Sequence, residues 1–452
     1  MQQAARLKYV QAYLSKVRTT RTMGRVISIK GGLITASGLN DEARIGDRAE
    51  IRRDDGSNLF GEVVQVSSEG VIILPDGAVT GVGCSDSVLL DPSSGISPDK
   101  SWIGRIIDPD GNPLDGKPLS SGFSTQPLLT APPAAATRRP LGARLDTGHV
   151  VFDTVLPIVR GQRIGLFAGS GVGKSSLMGE LAKVMSADIV VIALIGERGR
   201  EVRHFFDTVL GAEGRARTIV VAATSDQAAL VRRRCAWTAM AIAEYFRDLG
   251  LSVLLLSDSI TRFAEAHREV AVAAGEAPVL RGFPPSTSHL IMSLCERAGP
   301  GGEDQGDITA VFSVLVAGSD MDEPIADILR GVLDGHVVLD RTIAERGRFP
   351  AVDVLRSVSR SLPDAATSEE NEAISQVRKH LSVYTQNQMM ITAGLYTQGT
   401  DPEIDAAVQA WPSLDESMAL QHNQGQNHSF DQLKLVLRRV GRSEPDRTTR
   451  NP

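Results

Sequence analysis

Cysteine is scarce in this sequence. The chain contains only Cys84, Cys235 and Cys295, an odd number with no two of them close together. Disulfide frameworks and cysteine-based metal sites need paired or closely spaced cysteines. The sequence therefore disfavours both and favours a reducing compartment. A chain of 452 residues, of which 42% are hydrophobic, can bury a large core without disulfides or a structural metal. This composition also excludes a disordered chain.

Long apolar runs are missing as well. Runs such as 189–195 are far shorter than the roughly 20 residues that span a bilayer, and the first residues have no apolar signal-peptide core. The histidines show no metalloprotease spacing, and no G-x-S-x-G elbow of a serine hydrolase is present. We therefore expect a soluble cytoplasmic protein that is neither of these hydrolases.

Acidic residues are absent from the first forty positions, although Lys and Arg occur there repeatedly. Apolar residues recur there at a spacing of three to four, at Leu7, Val10, Leu14 and Val17. This pattern predicts a basic amphipathic segment at 1–20. The segment could pack on its own domain or be a solvated tail, or it could dock on an acidic partner or an anionic membrane surface.

The character of the chain changes along its length. Short β-branched runs separated by Gly, Asp and Ser predict a small β-barrel at 21–92. A Pro- and Gly-rich linker opens the next region, 93–349, where apolar strands alternate with helices from about residue 150; this alternation predicts an α/β core with a parallel sheet covered on both faces. Strand signals fade after Pro350, so we expect a helical domain at 350–442 and a flexible polar tail at 443–452.

The most specific motif is AGSGVGKSS, between an apolar strand and a helix. It fits the phosphate-loop pattern G-x-x-x-x-G-K-S/T at every position except the first, where Ala168 replaces Gly. The glycines let backbone amides turn towards phosphate oxygens, and the following helix adds its positive end. Lys174 can neutralise the β- and γ-phosphates, and the Ser175 hydroxyl can ligate Mg²⁺. The residues predicted to bind ATP here are Gly169, Ser170, Gly171, Val172, Gly173, Lys174, Ser175 and Ser176.

Two carboxylates follow apolar strands, at the sheet edge where ligands bind in such folds. Asp258 ends VLLLSD and is interpreted as the Walker B Asp of the Mg²⁺ shell. Glu197 ends a strand in LIGERGREV and could orient the attacking water, with Arg198 on the γ-phosphate. Many strands end in Asp, and Glu197, Arg198 and Glu201 could equally form a surface ion-pair cluster. The phosphate loop favours the chemical interpretation.

The segment FPAVDVLRSVSRSL contains two further candidates. Arg360 is a candidate arginine finger, and Phe349 is a candidate stacking surface for adenine. The residues alone leave both roles open, because an arginine in such a place more often forms a salt bridge and a phenylalanine more often packs in a core.

Taken together, these segments resemble the hexameric ATPases of flagellar and virulence type III protein export, relatives of the rotary ATP synthase catalytic subunits. The resemblance extends over almost the whole chain, from GRVISIKGGLITASGL through IGRIIDPDGNPLDGKPL and SDSITRFAEAHREV to DEPIADILRGVLDGHVVLDR. It implies a RecA-like P-loop NTPase core between an N-terminal β-barrel and a C-terminal helical domain. The flagellar branch is the favoured one.

The resemblance also implies roles for single residues. Lys174 and Ser175 match the phosphate-loop Lys and the Mg²⁺ hydroxyl, Glu197 and Arg198 match the catalytic carboxylate and its γ-phosphate neighbour, and Asp258 matches the Walker B Asp. Arg360 matches the finger that reaches the neighbouring subunit. Phe349 matches the adenine-stacking aromatic, and Tyr396 in ITAGLYTQG is a candidate second surface.

The implied activity is Mg-dependent ATP hydrolysis that energises export by releasing or unfolding substrate–chaperone complexes. The implied partners are five further copies of the chain, a stator regulator at the N-terminus, a central stalk protein, export-gate membrane proteins and substrate chaperones. The protein is then cytoplasmic and peripheral to the inner-membrane gate.

Three alternatives remain at this point. A hexameric RNA translocase shares such a core, but Phe60 is the only aromatic residue between Gly24 and Leu90 with which a base could stack, so no nucleic-acid partner is expected. A rotary ATP synthase catalytic subunit is a nearer rival, although here the Lys, Glu and Arg of a complete site occur in one chain. The third alternative is an inactive scaffold.

Overall fold

The computed structural model describes residues 20–91, 95–316, 321 and 323–441. The predicted basic segment, apart from its last residue Thr20, and the predicted polar tail lie outside the described residues. Among those that are described, no helix is both long and apolar enough to cross a bilayer.

The first part of the chain is a closed barrel of six strands, in the order β1-β2-β5-β4-β3-β6. Its strands are β1 (Met23–Lys30), β2 (Leu33–Ser37), β3 (Arg48–Arg52), β4 (Asn58–Val66), β5 (Val71–Pro75) and β6 (Ser87–Asp91). Alternate side chains point inwards, as Ile34 and Ala36 do on β2, where both are fully buried. The predicted barrel is therefore confirmed.

The linker packs against the core. Its strand β7 (Gly95–Ile96) pairs with β9 (Gln126–Pro127), and β8 (Ile106–Ile107) forms the edge of the large sheet. Arg297, which is 2% exposed, donates to the Leu128 carbonyl at 2.7 Å and forms a buried ion pair with Glu244. The linker is thus fixed to the helices beneath it.

The large sheet runs in the order β17-β16-β10-β15-β13-β11-β12-β8, and β14 pairs beside β15. Among the strands that the structure describes in this sheet, only β14 and β17 are antiparallel to their neighbours. The remaining strands are β10 (Arg163–Ala168), β11 (Ile189–Glu197), β12 (Thr218–Thr224), β13 (Ser252–Asp258), β14 (Gly299–Pro300), β15 (Asp307–Leu315), β16 (Gly335–Leu339) and β17 (Val352–Ser359).

Helices cover both faces of this sheet. Alternate residues of β11 belong to two different cores: Val191 packs with the helix that contains Met240, and Val190 packs with the one that contains Leu181. The helices of this region are α1 (Val150–Asp153), α2 (Lys174–Val184), α3 (Gly199–His204), α4 (Gly211–Arg215), α5 (Ala229–Asp248), α6 (Ile260–Ala273), α7 (Ser286–Arg297), α8 (Pro324–Val332) and α9 (Arg341–Glu345). The parallel α/β core is confirmed.

The chain after Pro350 differs from the sequence-based expectation at its start. Residues Val352–Ser359 form β17 and not a helix. Val352 and Val354 alternate with partly exposed residues, and the strand completes the sheet by pairing with β16. The helices begin only at Ser368.

Three long helices then form the C-terminal region: α10 (Ser368–Thr392), α11 (Pro402–Ser417) and α12 (Gln426–Gly441). Thr367 and Glu370 form a capping box that sets the start of α10. Val377 and Leu414 are fully buried in the same hydrophobic core as Leu177 of α2. The helical region contacts the α/β core through α12 against α1 and through α10 against β17.

Candidate active site

The sheet places three functional segments at one edge. β10, β13 and β11 are parallel and lie close together in the order β10-β15-β13-β11. Their carboxyl ends are Ala168, Asp258 and Glu197. The phosphate loop, the Walker B candidate and the candidate catalytic carboxylate therefore meet at one place, although they are far apart in the sequence.

The phosphate loop leaves β10 at Ala168 and enters α2 at Lys174. Gly171 and Gly173 have φ of +78° and +84°, a left-handed conformation that a side chain at either position would strain. Val172 buries its side chain in the core, which anchors the loop and leaves only its backbone for a ligand. The remaining polar members, Ser170, Ser175 and Ser176, are exposed. The loop can thus present amides and hydroxyls to phosphate.

A buried carboxylate connects the loop to the sheet. Lys174 Nζ forms an ion pair with Asp258 Oδ1, and Ser313 Oγ donates to the same oxygen at 2.7 Å. Asp258 is only 3% exposed, so its charge needs such partners. Sequence analysis missed Ser313; the available signal was a single hydroxyl in the otherwise apolar run Ala310–Leu315 of β15.

Glu197 lies beside this pair. Burial is the largest cause that raises its pKa, to about 7; the Asp258 carboxylate adds to this effect, Lys174 opposes it and Glu201 adds the remainder. A carboxyl group with a pKa near neutrality can hold or accept a proton of an attacking water.

Arg198 is the N-cap residue of α3 and has a side chain that is 69% exposed. Its Nη1 lies 3.2 Å from Glu201 Oε1, so Glu201 connects Arg198 to Glu197. Arg198 therefore forms an ion pair with Glu201, as the alternative interpretation expected. Because Arg198 directly follows Glu197, it also lies close to the sheet edge that carries the phosphate loop.

Phe349 contacts the phosphate loop. A Cβ added to Gly173 would lie 3.1 Å from both Cδ1 and Cε1 of the Phe349 ring, and the ring is 47% exposed. An aromatic side chain that touches the loop and remains half exposed can stack on a planar base.

Arg360 and Tyr396 lie elsewhere. Arg360 follows the end of β17, which is antiparallel to β16, and its Nη2 donates to the Arg330 carbonyl at 3.0 Å. Arg360 is therefore at the amino-end edge of the parallel strands, opposite the phosphate loop. Tyr396 lies between α10 and α11, where its hydroxyl donates to Asp405 Oδ1 at 2.7 Å and to the Asp401 carbonyl, contacts that tie it to α11 and not to the loop.

The donors at the loop edge suit a hard cation. The Ser175 hydroxyl is exposed at the start of α2, and the Asp258 carboxylate ends β13 at the same edge. Oxygen-only donors, supplemented by phosphate oxygens, are what Mg²⁺ prefers. Ser175 and Asp258 therefore fit a nucleotide-bound Mg²⁺.

Two family models match the chain. Residues 148–359 match the nucleotide-binding domain of the ATP synthase alpha/beta family, and residues 366–438 match the C-terminal domain of the type III secretion ATPase EscN. The first match spans β10 to β17, and the second covers α10, α11 and most of α12.

Individual relatives match over nearly their whole length. The flagellum-specific ATP synthase of Caulobacter vibrioides is 42% identical over 94% of this chain and 98% of its own, and a type 3 secretion system ATPase of Xanthomonas euvesicatoria is 39% identical over 87% and 89%. The assembled ATPase EscN of enteropathogenic E. coli has a TM-score of 0.84 at 37% identity, covering 92% of this chain and 100% of EscN. EscN in complex with its central stalk EscO has a TM-score of 0.82, at the same identity and coverage.

Proposed function

Because the chain belongs to the family of flagellum-specific and type III secretion ATPases, it is a P-loop ATPase of protein export, and we propose that it works as a ring in which neighbouring subunits share each ATP site. The meeting of Lys174, Glu197 and Asp258 at the sheet edge beside the phosphate loop supports the ATPase chemistry. The observation that carries the shared site is the position of Arg360 at the opposite edge of the same sheet.

Within one subunit, the loop amides and Lys174 hold the β- and γ-phosphates, and Phe349 stacks on adenine. Ser175 and Asp258 would hold Mg²⁺, which would supply charge neutralisation at these phosphates. Glu197 orients a water molecule in line with the γ-phosphorus and takes up its proton, which its raised pKa favours. Arg198 approaches the γ-phosphate by exchanging its contact with Glu201.

The site needs one group from the neighbouring subunit. Five residue steps of about 3.3 Å separate Arg163 from Ala168 on β10, so Arg360 lies roughly 17 Å or more from the phosphate loop of its own chain. An arginine side chain cannot cover that distance. Arg360 is therefore suited to stabilise the phosphoryl group bound by the next subunit, as an arginine finger does.

The assembly proposed is a homohexamer, supported by the structural match to assembled EscN, and its pore accepts a central stalk protein, as EscN accepts EscO. The N-terminal segment binds the stator regulator. The ring lies at the cytoplasmic side of the inner-membrane gate, where it releases or unfolds substrate–chaperone complexes. Flagellar export is favoured by the 42% identity to the Caulobacter protein, and a virulence secretion system is the alternative.

No nucleic-acid partner is proposed. The ring of Phe60, the aromatic residue of the barrel, lies under the Arg48 guanidinium, 4.9 Å from it, and so is covered on one face. A salt-sensitive RNA-binding assay tests the translocase alternative, and no specific binding is expected.

The test of the proposed chemistry is Glu197→Gln. This variant keeps the shape of the side chain but cannot take up the proton, so ATP turnover should fall by about 100-fold or more while nucleotide affinity remains. Glu403→Gln, which changes an exposed carboxylate of α11 that pairs with Lys379 away from the loop, is the control and should keep most turnover. Loss of nucleotide binding by Glu197→Gln, or full turnover, would remove Glu197 from this role; a wild-type chain without any turnover would indicate a scaffold.

A further inference from the structure

The backbone that carries Arg360 is held by one turn. The Arg360 amide donates to the Asp334 carbonyl at 3.0 Å, directly before β16. Its guanidinium donates to the Arg330 carbonyl near the end of α8, also at 3.0 Å. The position of the finger is therefore set by the short connection between α8 and β16.

Asp334 is itself held by a two-pronged ion pair. Arg163 Nε and Nη2 each lie 3.0 Å from one carboxylate oxygen of Asp334, and the Arg163 amide donates to Asp334 Oδ2 at 3.0 Å. The Arg163 and Asp334 side chains are only 14% and 24% exposed. Such a fork fixes direction as well as distance, which a single contact does not.

A buried amide joins the two sides of this turn. Gln162 is fully buried, and its Nε2 donates to the Asp334 carbonyl at 3.0 Å and to Ser359 Oγ at 3.2 Å. Ser359 directly precedes Arg360. Gln162 thus links the Ser359 side chain, next to the finger, to the Asp334 carbonyl that accepts from the Arg360 amide.

The arrangement also connects two sites. Arg163 is the first residue of β10, and the phosphate loop begins directly after its last residue, Ala168. One strand therefore holds the subunit's own phosphate loop at one end and, through Asp334, the finger at the other.

We propose that Asp334, clamped by Arg163, is the positioning residue for Arg360. The inference rests on the proposed shared site. Loosening the clamp moves the finger away from the neighbour's transferring phosphoryl group but leaves the phosphate loop unchanged. Catalysis then falls, and binding of ATP does not.

The test compares Asp334→Asn with Glu296→Gln in the full-length ring. Glu296 Oε1 lies 2.6 Å from Nη1 of the same Arg163, and Glu296 also forms an ion pair with Arg138. Replacing Glu296 therefore weakens the charged cluster at a point away from Arg360. Asp334→Asn should lower kcat by about 10-fold or more with KM within about twofold, and Glu296→Gln should change neither by more than about twofold. Equal losses in both variants, or a rise in KM alone for Asp334→Asn, would overturn the inference.

Mixed rings separate a finger defect from a folding defect. Lys174→Ala subunits supply an intact finger, and Asp334→Asn subunits supply an intact loop, so mixing the two should restore activity above the sum of the separate preparations. The reference mixture is Lys174→Ala with Arg360→Ala. If activity recovers in the reference mixture but not in the mixture with Asp334→Asn, the positioning role of Asp334 is overturned and the shared site stands. If activity recovers in neither mixture, both the positioning role and the shared site are overturned. If Asp334→Asn does not fold, Arg163→Lys, which keeps the charge but loses the fork, takes its place with the same expected recovery.

Discussion

Phe349 and Arg360 lie at the two ends of one strand. Phe349 precedes β17 and touches Gly173 of the phosphate loop, whereas Arg360 follows β17 at the opposite edge of the sheet. One strand thus has the proposed adenine contact of its own subunit at one end and, at the other, an arginine too far away to reach that subunit's phosphate loop. This relationship is the structural reason to expect that activity depends on assembly.

Arg360→Ala should keep nucleotide affinity and lose most turnover. A trans-acting arginine finger contributes on the order of 10³–10⁵ in rate, and it acts mainly in the transition state. Wild-type specific activity should correspondingly rise with protein concentration until rings form. The measurement is steady-state ATP hydrolysis together with fluorescent-nucleotide binding. A variant with unchanged turnover would remove the finger from the mechanism.

Ser313→Ala should destabilise the chain by about 1–3 kcal/mol, because the buried Asp258 carboxylate loses a hydrogen-bond donor. Ser257→Ala is a matched control on the adjacent strand, since the Ser257 hydroxyl is also buried but has no hydrogen-bond partner among the described residues. Because an unpaired buried hydroxyl itself costs free energy, Ser257→Ala should leave the free energy of unfolding unchanged or raise it. Thermal unfolding followed by circular dichroism compares the two. Equal shifts would show that Ser313 does not support Asp258.

His267 predicts a dependence of stability on pH. Burial, followed by the positive charge of Arg233, lowers its pKa to about 4, while Glu276 has the opposite, smaller effect. Nδ1 faces Arg233 Nη1 at 3.3 Å, and Nε2 lies 2.8 Å from Ser286 Oγ, which donates to Glu276. The neutral ring, with Nδ1 accepting and Nε2 donating, is therefore the form that the fold holds.

The sign follows from linkage. The unfolded chain takes up a proton at His267 near pH 6.5, and the folded chain does so only near pH 4. The neutral His267 therefore contributes fully to the free energy of unfolding above pH 6.5, and this contribution is lost as the pH falls towards 4. The total loss of stability is at most about 3 kcal/mol. His267→Gln should therefore flatten the loss of thermal stability between pH 6.5 and 4. A variant with the same slope as the wild type would contradict this assignment.

Much of the fold could be predicted because its signals are local. The β-branched runs of the barrel and the apolar strands of the core carry their periodicity within a few residues. The strand Val352–Ser359 was missed because half of its residues are polar, because it lies at the sheet edge and because it is followed by long helical patterns.

The site was predictable only in part, for a similar reason. The phosphate loop is a contiguous motif, and Glu197 and Asp258 each end a recognisable strand. Ser313 reaches Asp258 only through the neighbouring strand, and Arg163 meets Asp334 across 171 positions of sequence. Neither contact has a local pattern. The placement of Arg360 opposite the loop likewise depends on the antiparallel pairing of β17 with β16, which cannot be predicted from the residues of β17 alone.

The most direct test is a structure of the assembled ring with a non-hydrolysable ATP analogue and Mg²⁺. The account predicts that the triphosphate lies on residues 169–176 of one subunit, with adenine on Phe349 and with the Arg360 of the neighbouring subunit within hydrogen-bonding distance of the γ-phosphate. An analogue bound away from that loop, or a γ-phosphate with no arginine of a second subunit near it, would contradict the shared site.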